Sequence, residues 1–335
     1  SVSCTQDIGS DNLFSHVHAE LTTELYMRSN QYWDGESGWL AYEEDRNIVY
    51  QEIIDLIAYM KQYLGIRDYE KVHNSIVYSL AELQDGDGAF LQSGKPSYIR
   101  TAFYLSKLVA VIKQYPELLI DIENLESRIH LAAAWLETVS KDWAGNHQLF
   151  AMKAFYDLHE YFGGKVYFTG YQSVREHLLS DFVHLNSDRG YWPEAPVAWG
   201  NRLLTPYLQT QIIIAGQYSF FSNDAEVISL FKKELLFFSE HIQIENLRFD
   251  VQDSYDFSSK YQPFGVTELN ITSPSIFWYM CMYIDKYCSE VGSEKFLKFS
   301  YSLMLSNFEK DDFVTLFSDS YLRFGIIDVL NKHSK

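Results

Sequence analysis

Through most of the chain, apolar residues recur three and four positions apart, the spacing that gathers them on one face of an α-helix. In IVYQEIIDLIAYMKQYLG (48–65) the run stops at Gly65, a helix-ending residue, and in HNSIVYSLAELQ (73–84) it halts at Asp-Gly-Asp-Gly. YIRTAFYLSKLVAVIKQY (98–115), LESRIHLAAAWLETVS (125–140), NHQLFAMKAFYDLHEYFGG (146–164), PYLQTQIIIAGQYSFF (206–221), AEVISLFKKELLFFSEHI (225–242) and PSIFWYMCMYIDKYCSEVG (274–292) extend the pattern. Within 149–162, Phe150, Ala151, Ala154, Phe155, Leu158 and Phe162 form one stripe, so this helix buries a side.

The interruptions share a composition of Asp, Gly and an aromatic: YWDGESGW (32–39), QDGDGAF (84–90), KDWAG (141–145), NSDRGYW (186–192), RFDVQDSYDF (248–257) and, more faintly, KDDFVTLF (310–317). With Asp34, Asp85, Asp142, Asp188, Asp250 and Asp312 as markers, the gaps are 51, 57, 46, 62 and 62 residues. Such a period holds two helices and two connections, hence one helical hairpin per repeat. Roughly six hairpins close into a ring with an inner and an outer helix layer, so the expected fold is an all-α, α/α toroid. No linker divides the chain. The expected organisation is one toroid domain over 26–335 with residues 1–25 as a peripheral extension.

In a ring of this kind every inner helix starts at the same end, and a pocket there is assembled from residues distant in sequence. The candidates are Trp39 and Glu43, Tyr98 and Arg100, Asn146 and His147, Tyr191, Trp192 and Glu194, Trp199, Asn201, Arg202 and Tyr207, and Asp253 and Tyr255. Helix N-termini add partial positive charge at that end. Asn146 also reads as a plain N-cap, while His147 is not needed for capping and is the usual general base near neutral pH. Glu194 lies in RGYWPEAPVAWGNRLLTPY (189–207), whose prolines and tryptophans read as an ordered loop. It is a general acid or base if the aromatics desolvate it, and otherwise a solvated loop residue. Arg100 and Arg202 are fitted to pair a substrate carboxylate or to bridge junction aspartates.

Composition narrows the function. A net charge of −18 opposes a nucleic-acid or anionic-membrane binder, since those need surplus Lys and Arg on one face. Aromatic content of 16% suits a surface that stacks sugar rings or other half-apolar ligands, and equally a large helical core. No run is long and apolar enough to read as a membrane span. HExxH, CxxC, GxSxG and a Gly-Lys-Ser/Thr phosphate loop are absent, and His16, His18 and Glu20 lack a fourth ligand, so neither metal nor cofactor is expected. Cys281 and Cys288, seven residues apart on one helix, are separated by roughly 10.5 Å of rise, too far for a disulfide, and read as small buried side chains. Cys4 in SVSC and the acceptor pattern NIT (270–272) leave secreted, periplasmic and cytoplasmic locations all open, and the oligomeric state is not legible.

Two families resemble parts of the chain. SIVYSLAELQDGDGAFLQSGKPSYIRTAFYLSKLV (75–109) is similar to the repeat of squalene-cyclase-like and prenyltransferase-like toroids, although the DxDD cluster of the protonating cyclases is missing. GNHQLFAMKAFYDLHEYFG (145–163) and DRGYWPEAPVAW (188–199) resemble the Asn-His helix start and the aromatic-Glu-Pro loop of heparinase-like and alginate-lyase-like polysaccharide lyases. That resemblance implies that Asn146 neutralises a uronate carboxylate and His147 positions or abstracts the adjacent proton. The acid or base falls to Tyr207 or Tyr191, because the matching loop here continues as Trp199-Gly200-Asn201. The expectation is therefore a carbohydrate-active enzyme with a glycan or small-molecule substrate, β-elimination on a uronate ahead of hydrolysis. An isoprenoid or small-molecule cyclase is the alternative, and a non-catalytic binding toroid a further one.

Overall fold

The computed structural model describes residues 23, 26–27, 29–39, 47–139, 145–181, 183–184, 190–192, 205–243, 248–249, 267–268, 280, 283–292 and 296. A 3-10 turn over Ile48–Ile53, capped by the Asn47 side chain accepting from the Val49 amide at 3.1 Å, leads into α1, Ile54–Leu64. Then follow α2 (Tyr69–Glu82), α3 (Tyr98–Gln114), α4 (Leu125–Thr138), α5 (Gly145–Phe162), α6 (Lys165–Asp181), α7 (Thr205–Ser222) and α8 (Ala225–His241). Helices α1, α3, α5 and α7 lie side by side in that order, and α2, α4, α6 and α8 each return along the outside of the helix before them. This is the all-α toroid architecture expected from the hairpin repeat.

The two layers differ because their surroundings differ. Outer α2 buries only Val72, Ser75, Ile76, Ser79 and Leu80, a stripe at three- and four-residue spacing. Inner α3 instead buries Thr101 to Leu105 without a break and then Lys107, Leu108, Val109, Val111 and Ile112, because it meets neighbours on nearly every side. Residues 211–220 of α7 are buried continuously for the same reason. Each fully buried Leu, Ile or Phe contributes roughly 1.5–3 kcal/mol by leaving water, so the inner layer carries most of the packing energy.

Inner and outer helices meet at one end of the barrel, here the short end, through returns that are brief except between α3 and α4, where the return contains a one-turn helix, Leu118–Asp121. Gly65 there is left-handed at φ +66°, and its neighbour Ile66 donates its amide to the Met60 carbonyl at 3.1 Å, which closes α1 where the sequence signal placed its stop. A side-chain cluster joins two helices and a turn at this end. Arg175 on α6 grips both oxygens of Asp224 at 2.6 and 2.8 Å, Tyr218 donates to the same carboxylate at 2.7 Å, and the Tyr171 hydroxyl meets that of Tyr218.

The long connections at the opposite end contain the Asp-Gly-aromatic repeat, and its first two copies superimpose bond for bond. Trp33 bridges Trp39 as Gln84 bridges Phe90. The Asp34 amide donates to Gly38 at 2.8 Å as the Asp85 amide does to Ala89 at 2.9 Å, and Ser37 returns a bond to Asp34 as Gly88 does to Asp85. The Asp85 carboxylate also accepts from the amides of Asp87 and Ala89, both at 3.0 Å. Asp85 thus closes its turn, and Asp34 holds the equivalent place in the first.

Among the described residues, three of the closing aromatics are held by a polar side chain from the next inner helix or its leading turn. Gln51 donates to the Trp39 carbonyl at 2.7 Å and accepts from its amide at 3.2 Å. Thr101 accepts from the Phe90 amide at 2.9 Å, and Gln211 donates to the Trp192 carbonyl at 2.8 Å. Periodicity had not indicated the short antiparallel pairs in these connections: β1 (Leu91–Gln92) with β2 (Lys95–Pro96), β3 (Val183–His184) with β4 (Gly190–Tyr191), and the three-stranded β5 (Ile242–Gln243), β6 (Arg248–Phe249), β7 (Thr267–Glu268). Two-residue strands carry too few positions to show an alternation.

Late in the chain, residues 283–287 are helical and Cys288 is buried with its thiol pushed up to about 11 by burial, in line with the apolar role expected of it. Cys281 and Cys4 lie outside the described residues.

Gly88 sits at φ +103°, where a Cβ would stand 2.6 Å from the Leu131 carbonyl oxygen, whereas a Cβ at Gly65 would meet nothing within 4 Å. Gly88→Ala should therefore lose more than about 2 kcal/mol in urea denaturation, and Gly65→Ala only about 1 kcal/mol, the cost of its left-handed backbone. Equal losses would contradict the close approach of this turn to α4.

Candidate functional site

The long end brings together residues of three helices, the starts of α3 and α5 and the end of α4. Ser97 caps α3 by accepting from the Arg100 amide at 3.3 Å, which places Tyr98 and Arg100 in the first turn. Gly145 opens α5, so Asn146 is its second residue and lies inside the helix; its side-chain oxygen accepts from the His147 amide at 2.9 Å. The Tyr98 ring centroid is 6.2 Å from that of His147 and 6.5 Å from that of Trp135 on α4. The Tyr98 hydroxyl is buried and has no hydrogen-bond partner among the described residues.

Electrostatics set the protonation of this group. Burial, and after it the positive charge of Arg100, pulls the His147 pKa down to about 4, so its imidazole is neutral at neutral pH. Burial and the neighbouring Glu137 push the Tyr98 hydroxyl well above the usual tyrosine value, which keeps its proton in place. Arg100 itself is held by Glu52, whose two oxygens lie 3.1 and 3.4 Å from Nη1. Burial raises the Glu52 carboxyl to about 7 against the opposing pull of Arg100 and Lys107.

One turn deeper on the same helices a cavity of about 100 Å³ opens among the inner helices, walled by Asp55 and Tyr59 of α1, Phe103 and Lys107 of α3, Lys153 of α5 and Gln217 of α7. The Lys107 ammonium is bound to Asp55, donates to the Glu52 carbonyl at 3.1 Å and lies 4.7 Å above the centre of the Phe103 ring. Lys153 pairs with Asp157 at 2.6 Å, one turn along α5. Hydroxylated ligands can exchange hydrogen bonds with such walls, while the rings offer apolar faces.

The other sequence candidates are placed differently. Trp39 is fully buried with its ring 4.7 Å from that of Trp33. Tyr191 packs its ring 5.4 Å from Phe237 of α8, and Trp192, also fully buried, donates its indole N–H to the Leu178 carbonyl at 2.8 Å. These three aromatics are joints between connections and helices, and a stacking residue and a packing residue look alike in a sequence. Tyr207 belongs to α7, with its side chain outside the described residues. Glu43, Glu194, Trp199, Asn201, Arg202, Asp253 and Tyr255 lie outside them altogether, as do His16, His18 and Glu20. Among the described residues there is no cluster of three or more His, Cys, Asp or Glu able to hold a metal.

Sequence reasoning passed over Glu52, Asp55, Lys107 and Lys153. Their signal was a charge inside an apolar helical run, as in QEIIDLIAYM and YLSKLVAV, at the positions that line up toward the lumen.

The depressed His147 pKa has a stability consequence. Its folded value lies below the unfolded one, so its contribution is complete above about pH 6.5 and is lost as pH falls toward 4. Between these limits the wild type should lose roughly 3 kcal/mol more than His147→Gln, read as the difference in urea midpoints at each pH. Parallel pH profiles for the two proteins would contradict a buried neutral imidazole.

No family model and no curated protein matches the chain. Among solved structures it is similar to one described as a sugar epimerase from a ruminal bacterium, with a TM-score of 0.59 and 12% identity over 89% of this chain and 87% of that one. At that identity the likeness is one of fold, and it agrees with the two-layer helical ring.

Proposed function

We propose that the chain is a carbohydrate-active enzyme whose reaction centre is the Tyr98, Arg100 and His147 group, with the sugar reaching down into the cavity between the inner helices. The observation that carries this reading is the stacking of the two features: Arg100 and His147 each stand one turn before a residue, Phe103 or Phe150, that lines the cavity. The sugar epimerase of similar fold supports the substrate class.

The group is suited to moving a proton at carbon. Neutral His147 offers a ring nitrogen as acceptor, Tyr98 keeps a proton to donate, and the Arg100 guanidinium stabilises the oxyanion that develops when a C–H next to a carbonyl or carboxylate is broken. Epimerisation and β-elimination share this first step. They differ in whether a proton returns or a leaving group departs. Tyr98 takes the part that the lyase resemblance gave to Tyr191 or Tyr207, because its ring faces His147. Hydrolysis would need a carboxylate pair such as Glu194 and Asp253, and an isoprenoid cyclase would need an apolar chamber, which the Asp, Lys and Gln walls do not favour.

Incubation in ²H₂O with neutral reducing sugars and, separately, with alginate, heparin and chondroitin tests the reading. Deuterium at a sugar carbon, seen by NMR, or an unsaturated product absorbing in the near ultraviolet is the expected result, reduced on the order of 10²-fold or more by His147→Gln. Turnover left intact by His147→Gln and Tyr98→Phe would remove the group from the reaction.

A further inference from the structure

The chemistry at the mouth says nothing of what the cavity below it prefers, and the cavity's charges do. Every cation that the described residues bring to its wall already has a carboxylate: Lys107 is bound to Asp55, and Lys153 pairs with Asp157 at 2.6 Å. Arg100, one turn above, is matched by Glu52 at 3.1 Å. Three positive and three negative groups are therefore matched in and above the cavity, and the Lys107–Asp55 pair is withdrawn from water, with side chains only 5% and 9% exposed.

A sugar acid entering this space would have to shed its hydration without gaining an unmatched cation, and would sit against the carboxylate of Asp55. An uncharged sugar meets no such penalty. The Lys107–Asp55 pair offers a hydroxyl both a carboxylate oxygen to donate to and an ammonium hydrogen to accept, Lys153 offers a second ammonium, and Gln217 offers both roles in one side chain. Tyr59 and Phe103 supply ring faces for the C–H surface of a pyranose. The small volume admits at most one monosaccharide unit.

We propose that the cavity lined by Asp55, Tyr59, Phe103, Lys107, Lys153 and Gln217 is a subsite for a single uncharged sugar unit that rejects uronates through its internally paired charges. This rests on the reading of the chain as a sugar-binding enzyme, and it narrows the substrate to neutral saccharides.

Thermal unfolding and calorimetric titration of the full chain, at constant ionic strength, with glucose, galactose and mannose beside glucuronate, galacturonate and mannuronate provide the test. At least one neutral sugar should raise Tm, its uronate should not, and Lys107→Met should weaken the neutral sugar by about tenfold or more. Asp157→Asn, an isosteric change in a partly exposed pair, frees Lys153 and should bring uronate binding up by about tenfold; Asp55→Asn should act in the same direction where that variant folds. A uronate that stabilises the wild type as well as its neutral partner, no stabilisation by any neutral sugar, or no gain of uronate binding in Asp157→Asn would overturn the proposal. Neutral sugar bound without any deuterium uptake would instead remove the reaction centre and leave the cavity's preference standing.

Discussion

An inner helix of this barrel is covered on nearly every side, and the structure depends on satisfying whatever polar groups that covering traps. At the entrance to the inner layer the solution is one side chain binding the backbone of a buried aromatic, as Gln51 does for both the amide and the carbonyl of Trp39. The Gln51 side-chain oxygen accepts in addition from Ser75 at 2.7 Å, so the same amide ties a connection, the turn leading into an inner helix and an outer helix together. Thr101 and Gln211 serve Phe90 and Trp192 in related ways with different atoms. The geometry of the entrance is repeated while the residue supplying it changes.

Along the lumen the solution is pairing. Buried Lys107 cannot remain charged without Asp55, and burial, with the nearby charge of Arg100 adding to it, lowers its pKa against the pull of Asp55 and Glu52. Such groups do little for net stability compared with apolar side chains of the same volume. Their value lies in presenting donors and acceptors where a solvated ligand has to be stripped of water.

How much could be read in the sequence follows from these two constraints. The helices were legible because Gly65 and the Asp-Gly turns punctuate long apolar runs, and the repeat was legible because Asp34 and Asp85 perform one task at a fixed offset. Tyr98, Arg100, Asn146 and His147 could be singled out because helix starts converge by topology. Asp55 and Lys107 could not, since a lone charge every few residues is also the mark of a solvated face, and only the neighbours of α1 and α3 reveal that no water is there. Trp39 and Trp192 pointed to ligand stacking by composition, whereas their burial makes them wedges between layers. No period in the sequence distinguishes the two uses.

The knot of Arg175, Tyr171, Tyr218 and Asp224 stands at the end of the barrel away from the proposed chemistry. It draws one carboxylate from the turn between α7 and α8 against groups from α6 and α7, so these staves are pinned at the base independently of the crown. Loops at the crown can then lengthen, shorten or trade residues over evolutionary time while the barrel keeps its bore, which gives this architecture room to acquire new specificities without being rebuilt.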